Sequence, residues 1–313
     1  MKNVLLTGVA GFVGSRLAIS LLKKGYAVTG IDNLKTGYIA NIPQDVVFIN
    51  GDCAELATYE NAQLNEVDFD FIVHIAGQSS GEISFDDPCL DLSDNCLSTL
   101  RLLEFARSNS CKKFIYASTM SVYGKVDDGP IDEGHSTKPL SMYAVGKLAS
   151  ENYLRLFERY GIDSVSLRLF NIYGPGQNMS NLRQGMASIY IAQAIELGKI
   201  EVKGRPDRFR DFIFIDDVIR VIVKCMEQNF AGSEVYNVCT GVKTKVADLV
   251  DLIKRTLGDE SLPVSYVEGT PGDQFGIVGD NSKIASYLGD IEFTDLDMGI
   301  SKFISSIGVI QEK

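Results

Sequence analysis

The sequence predicts an α/β protein: a doubly wound parallel sheet with helices on both faces, and a smaller C-terminal lobe. Two observations carry this expectation. Short apolar runs alternate with longer helical patterns through the first half of the chain, and after Phe170 the punctuation changes to Gly- and Pro-containing breaks. Strand and helix in repeated alternation imply right-handed crossovers, which make neighbouring strands parallel and put helices on both sides.

The apolar runs are Val4–Thr7, Ala27–Ile31, Val46–Ile49, Phe69–Ile75, Lys113–Ala117 and Val165–Phe170. Each is rich in Val, Ile, Leu or Phe with little polar alternation, as a strand buried on both faces should be. Between them Phe12–Lys24, Leu92–Ser108 and Met142–Tyr160 read as helices. Further on, Gly174-Pro175-Gly176, Gly204-Arg205-Pro206 and Pro271-Gly272-Asp273 break the chain into shorter pieces. A helix at Asp217–Gln228 and a strand at Val235–Val238 are expected to return to the main sheet. The expected division is therefore 1–170 plus about 211–240 as one domain, and about 171–210 plus 241–313 as a substrate-binding lobe.

The first strand runs into Thr7-Gly8-Val9-Ala10-Gly11-Phe12-Val13-Gly14. Glycines at Gly8, Gly11 and Gly14 allow a tight turn, a close approach of backbone N–H groups to a pyrophosphate, and close helix–strand packing. The helix opening at Phe12 and Val13 then points its positive end at the phosphates, so this is a Rossmann-type nucleotide site. The second strand ends at Asp32, with Asn33 beside it. A carboxylate there accepts from both ribose hydroxyls and repels a 2′-phosphate, which favours NAD over NADP. Asp52, after the third strand, reads either as an acceptor for an adenine amino group or as a turn residue.

Tyr143 and Lys147 stand four residues apart in Tyr143-Ala-Val-Gly-Lys147, one helical turn from each other on one face. A cation beside a phenol stabilises the phenolate, so Tyr143 is expected to have a lowered pKa and to exchange a proton with a substrate hydroxyl. Such a pair is common on ordinary helices. Its context supplies the weight: Ser118-Thr119-Met120-Ser121-Val122-Tyr123-Gly124 follows the strand Lys113–Ala117 and places hydroxyls at a carboxyl strand end, where ligands bind in open α/β sheets. Thr119 can hydrogen-bond a reacting oxygen there, with Ser118 its neighbour.

Together, TGVAGFVG, the Asp after the second strand, the hydroxyl-containing segment before Val-Tyr-Gly and the Tyr-x-x-x-Lys pair resemble the extended short-chain dehydrogenase/reductases. More narrowly they resemble the nucleotide-sugar epimerase/dehydratase family. The resemblance implies that Thr119 is the catalytic hydroxyl, Tyr143 the acid/base, and Lys147 a ligand of the nicotinamide ribose as well. His74-Ile75-Ala76-Gly77 resembles the family's strand end along the cofactor, making Ala76 and Gly77 cofactor residues, and Asn95 resembles the Asn that opens the next helix near the cofactor. Arg168-Leu-Phe-Asn171-Ile-Tyr-Gly-Pro and Arg210-Asp-Phe-Ile resemble the substrate-half motifs. They assign Asn171 and Arg210 to the substrate, with the Arg210 guanidinium fork suited to a diphosphate, and the strand-end hydroxyls Ser118 and Thr119 are expected at the substrate with them. Relatives often carry Arg-x-Gly-Asp near the end; here Thr270-Pro271-Gly272-Asp273 lacks the Arg.

The resemblance leaves the reaction open, because one such site starts several. A dehydratase of the family carries Asp-Glu after the catalytic Thr; this chain has Met120-Ser121, and neither can do that proton work. A nucleotide-sugar 4-epimerase needs only Tyr143, Thr119, Lys147 and NAD: oxidation to a 4-keto intermediate, rotation, and hydride return. That is the expected activity, on a UDP-linked hexose. A net dehydrogenase or reductase, and a non-catalytic NAD-sensing protein, are the alternatives.

Composition sets the outer limits. A formal net charge of −11 repels a phosphate backbone, so no nucleic-acid partner is expected. Six scattered cysteines without a Cys-x-x-Cys pair read as packing residues of a reducing compartment, and two histidines make a His-based metal site unexpected. No apolar segment approaches the ~18 residues a membrane helix needs, so the protein is expected in the cytoplasm with no membrane partner. Leu97, Leu100, Val145, Tyr153 and Leu156 lie beyond a single core stripe on helices 92–108 and 142–160, and the expectation is a homodimer through those helices.

Overall fold

The computed structural model describes residues 1–126, 129–269, 275–289 and 291–311; Thr270-Pro271-Gly272-Asp273 lies outside the described residues. Its centre is a seven-stranded parallel sheet: β1 Asn3–Thr7, β2 Ala27–Asp32, β3 Val47–Asn50, β4 Phe71–His74, β5 Lys113–Thr119, β6 Asp163–Leu169 and β7 Ser233–Val238. Their spatial order is β7-β6-β5-β4-β1-β2-β3. Order reverses between β1 and β4, where Thr7 pairs in register with His74. A crevice opens at such a switch point, outside the carboxyl strand ends.

The unbroken apolar runs are explained by what covers each face. Val4, Leu6, Val73 and Ile115 pack with Leu17, Ala18 and Leu21 of α1 (Phe12–Lys23) and with Val218, Val221 and Ile222. The alternate residues Leu5, Ile31, Ile72 and Phe114 pack instead with Leu102, Leu103, Phe105 and Leu154. Period-two alternation persists, but both faces are apolar because both are roofed by helices. The second roof is a pair of helices, one from 88 to 108 and one from 142 to 157. Pro88–Leu92, a wider π-turn at Ser93–Leu97, and Ser98–Ser108 run on as one helix, α2. It therefore begins four residues before the expected Leu92. Asp87 caps it by accepting from Leu90 N at 2.9 Å, and Pro88 takes the first helical position, where its missing N–H costs nothing. Helix α3 is Met142–Phe157, capped by Ser141, whose hydroxyl accepts from Ala144 N at 3.2 Å.

After β6 the chain leaves the sheet. Helix α4, Ile215–Glu227, brings it back and feeds β7, which pairs in parallel with β6. The excursions build small two-stranded pairings: Phe212–Phe214 on Asn171–Tyr173, Phe209–Arg210 on Thr244–Lys245, and Val264–Val267 on Ile200–Lys203. Among the described residues no helix is long and apolar enough to cross a membrane.

Candidate active site

The cofactor groove follows from four backbone positions. Gly8 has φ +73°, and a Cβ there would lie 2.8 Å from Ala76 N, so the ends of β1 and β4 touch only because Gly8 lacks a side chain. A Cβ on Gly14 would sit 1.9 Å from Gly8 O, which lets α1 start directly against the turn. Gly11 caps α1 without a side-chain hydrogen bond, leaving the first-turn N–H groups of Phe12, Val13 and Gly14 directed out of the helix end. Gly77, at φ +143°, would carry a Cβ 2.5 Å from Asn95 Oδ1, and that oxygen is buried with no hydrogen-bond partner. An orphaned acceptor over a glycine floor is what a bound dinucleotide would complete.

Asp32 is buried at the end of β2 and accepts from Ala10 N at 3.0 Å and Leu34 N at 2.8 Å. A carboxylate has about four acceptor positions, so capacity remains for two ribose hydroxyls. Asp52 is held within the loop: it accepts from Ala54 N and from Asn33 Nδ2, both at 2.9 Å, and pairs with Lys35 at 3.0 Å. The turn reading of Asp52 accounts for these contacts, and Asn33 is fixed by the same network.

On α3, Tyr143, Lys147 and Glu151 recur every four residues and all three are buried. The Lys147 ammonium donates to Ala117 O at 3.0 Å and lies 4.8 Å from the Tyr116 ring centroid and 5.9 Å from that of Tyr143. Burial pushes its pKa down to about 8, with Asp91 pulling the other way. Thr119, buried at the end of β5, faces the Tyr143 phenol, and its hydroxyl accepts from Ser121 N at 3.2 Å. The expected lowering of the Tyr143 pKa is corrected here. Burial pushes the phenol up to about 12, Thr119 draws it back only in part, and the Asp91 charge adds to the rise. Desolvation of the phenolate outweighs a cation nearly 6 Å from its ring.

Ser118 is the second correction. Its hydroxyl donates to Glu151 Oε1 at 2.5 Å, within a buried ion pair in which Arg168 donates to the same oxygen at 3.0 Å and to Oε2 at 2.7 Å. Residues alternate along a strand, so with Thr119 facing Tyr143, Ser118 serves the anchoring of α3 and not the substrate. Sequence reasoning missed this anchor. Its signal was the third member of the four-residue series on α3.

Beside Met120, Ser121 and Ser141 opens a cavity of about 290 Å³, lined across from them by Asn171, Tyr190, Lys203, Arg208 and Arg210. Asn171 is held by donating to Asp211 O at 3.0 Å. Arg210 is buried, donates to Phe209 O at 2.8 Å and Phe275 O at 3.2 Å, and is pushed down to about 10 by burial and by Arg208. The neighbouring Asp211 carboxylate accepts from Thr240 N and Gly241 N, each at 2.9 Å. Arg208 was not singled out from sequence, yet it stands two residues before Arg210, on the same side of an extended segment. An acidic chain thus gathers two arginines and a lysine at one cavity wall.

Residues 4–239 match the model of the NAD dependent epimerase/dehydratase family. The chain belongs to that family. It is 32% identical over 304 residues to a putative UDP-glucose 4-epimerase of Methanocaldococcus jannaschii, covering 96% of this chain and 97% of that one. A solved UDP-glucose 4-epimerase of Thermotoga maritima, bound to UDP-glucose, superposes with a TM-score of 0.93 at 31% identity, covering 99% of both chains. The UDP-glucose 4-epimerase of Thermus thermophilus, in complex with NAD, superposes with a TM-score of 0.90 at 29% identity, covering 98% of this chain and 99% of that one. NAD is the cofactor of this family member, and its relatives are UDP-sugar epimerases.

Proposed function

We propose that the protein is an NAD-dependent UDP-hexose 4-epimerase that works by transient oxidation at C4. The observation that carries this reading is the union of Thr119, Tyr143 and Lys147 beside the arginine-walled cavity, with Met120-Ser121 supplying no further acid or base. Gly8, Gly11, Phe12, Val13, Gly14, Asp32, Ala76, Gly77, Asn95, Tyr143 and Lys147 would hold the cofactor. Bound there, NAD supplies a hydride acceptor at C4 and a cationic ring whose field favours the phenolate. Tyr143 takes the 4-hydroxyl proton and later returns it; Thr119 hydrogen-bonds the same oxygen and keeps it within reach. Lys147 keeps a positive charge beneath the phenolate. Arg210, with Arg208 and Asn171, holds the diphosphate while the ketose turns over, so either face of C4 can be presented.

We further propose that 171–210 and 241–313 act as the substrate lobe, since the cavity's cationic wall comes largely from them. The outer faces of α2 and α3 expose Leu90, Leu92, Leu97, Val145, Tyr153 and Leu156, which supports a homodimer through these helices. The test of the activity is proton NMR of UDP-glucose, UDP-galactose and their N-acetyl and uronic acid counterparts in D2O, with no cofactor added beyond what co-purifies. Inversion at C4 with no deuterium at carbon supports the epimerase. Deuterium at a carbon position, or reaction only with stoichiometric added NAD, overturns it.

A further inference from the structure

Asp91 lies on α2 with no place in the mechanism above, yet it is only 2% exposed and sits under the catalytic helix. Its Oδ2 accepts from Gln78 Nε2 at 2.8 Å and from Asn95 Nδ2 at 3.2 Å, while Oδ1 is buried with no hydrogen-bond partner. That oxygen is directed at α3: a Cβ on Gly146 would come within 3.9 Å of it, and within 3.2 Å of the Asn95 Cβ. A carboxylate can only accept, so the Asn95 amide must turn its NH2 toward Asp91 and its Oδ1 toward Gly77. The Cβ position of Gly77 is in turn 3.4 Å from Lys147 Nζ.

We propose that Asp91 is a positioning residue for the Tyr143–Lys147 pair, fixing the Asn95 amide and serving as the buried counter-charge of the Lys147 ammonium. The surrounding groups leave that task to Asp91. On α2, Asp94 is tied to Lys35 at 3.1 Å; on α3, Glu151 is tied to Arg168 at 2.7 Å. His74 on β4 is held neutral by burial and by Lys147, and Tyr116 on β5 and Tyr143 on α3 are held as neutral phenols by burial. Burial likewise raises the Asp91 pKa, opposed by Gln78, Asn95 and Lys147. A lysine and a carboxylate sharing a dry pocket support each other's charge, and losing either exposes the other to desolvation.

This inference rests on Tyr143 and Lys147 forming the site, and its first readout needs no turnover. The NAD-loaded enzyme carrying [13Cε]lysine is titrated by NMR, with the Lys147 resonance assigned from Lys147→Arg. In Asp91→Asn the Lys147 midpoint should fall by about one pH unit. With UDP-glucose at pH 8, kcat should fall on the order of tenfold while KM stays within about twofold, because Asp91 does not line the cavity. An unmoved midpoint, or a change confined to KM, overturns the proposal. Should Asp91→Asn fail to fold, the wild-type resonance decides: protonation of Asp91 must produce a second inflection above the ordinary carboxylate range of about 4, and its absence overturns the proposal equally.

Discussion

The cofactor half and the cavity half of this molecule are built on different principles. In the groove around Gly8 and Gly77, close packing depends on side chains that are missing: a Cβ on either glycine would collide with Ala76 N or Asn95 Oδ1. In the cavity around Arg210, the wall is made by long side chains from Arg208, Arg210 and Lys203. One half is shaped by what the backbone leaves open, the other by charge carried on extended segments and loops. The first leaves no room for a Cβ at Gly8, Gly14 or Gly77. The second can be changed one side chain at a time without disturbing the backbone.

The sharpest way to separate the halves is at their junction. Tyr143→Phe should lower kcat by about 10²- to 10⁴-fold, the usual share of a positioned acid/base, with co-purified NAD, read by its absorbance, retained by the remaining groove contacts. Loss of NAD along with activity would show that the phenol belongs to the cofactor half. Next comes the anchor. Arg168→Met leaves Glu151 buried without its cation and should cost about 3–5 kcal/mol of stability, read as a lower denaturant midpoint. In the cavity, Arg210→Ala should raise KM for UDP-glucose roughly 10- to 100-fold with kcat less affected, as removal of binding made equally in ground and transition states requires.

The pH dependence joins the two halves again. Lys147 is held at about 8 by burial, so its ammonium predominates below that pH and is lost above it. Turnover should therefore decline as pH rises through about 8, and Lys147→Arg should carry the decline beyond the accessible range. The smallest effect is expected at the groove rim. Lys35→Met removes half-exposed ion pairs to Asp52 and Asp94 and should change NAD affinity by no more than about fivefold, since exposed pairs contribute 0–1 kcal/mol.

Much of the cofactor half was legible in the sequence because its requirements are local. Gly8, Gly11 and Gly14 serve one turn, Asp32 ends the strand beside it, and Tyr143 and Lys147 share one helix face. What escaped was carried by contacts distant in sequence. Ser118 read as a substrate residue until Glu151, 33 positions away, was found to hold its hydroxyl. Arg168 read as part of a motif, while its ion pair joins β6 to α3. The direction of the Tyr143 shift was misjudged for the same reason: spacing reveals a nearby cation, but not the depth of burial that opposes it. In the cavity half, Arg210 was found through its motif, and Arg208 only through the shape of the wall.

The π-turn at Ser93–Leu97 amounts to one residue more than an α-helix would use to cover the same ground. Its widened backbone is stitched rather than open: Asn95 O accepts from Thr99 Oγ1 at 3.1 Å and from Ser150 Oγ of the neighbouring helix at 2.8 Å. Removing that one residue would close the turn into an α-helix and rotate everything before it by about 100°. Asp87, Pro88 and Asp91 would swing away from their present places, although no residue of the arginine-walled cavity had been touched. The gain or loss of a single codon at this turn would be an angular edit of the active site.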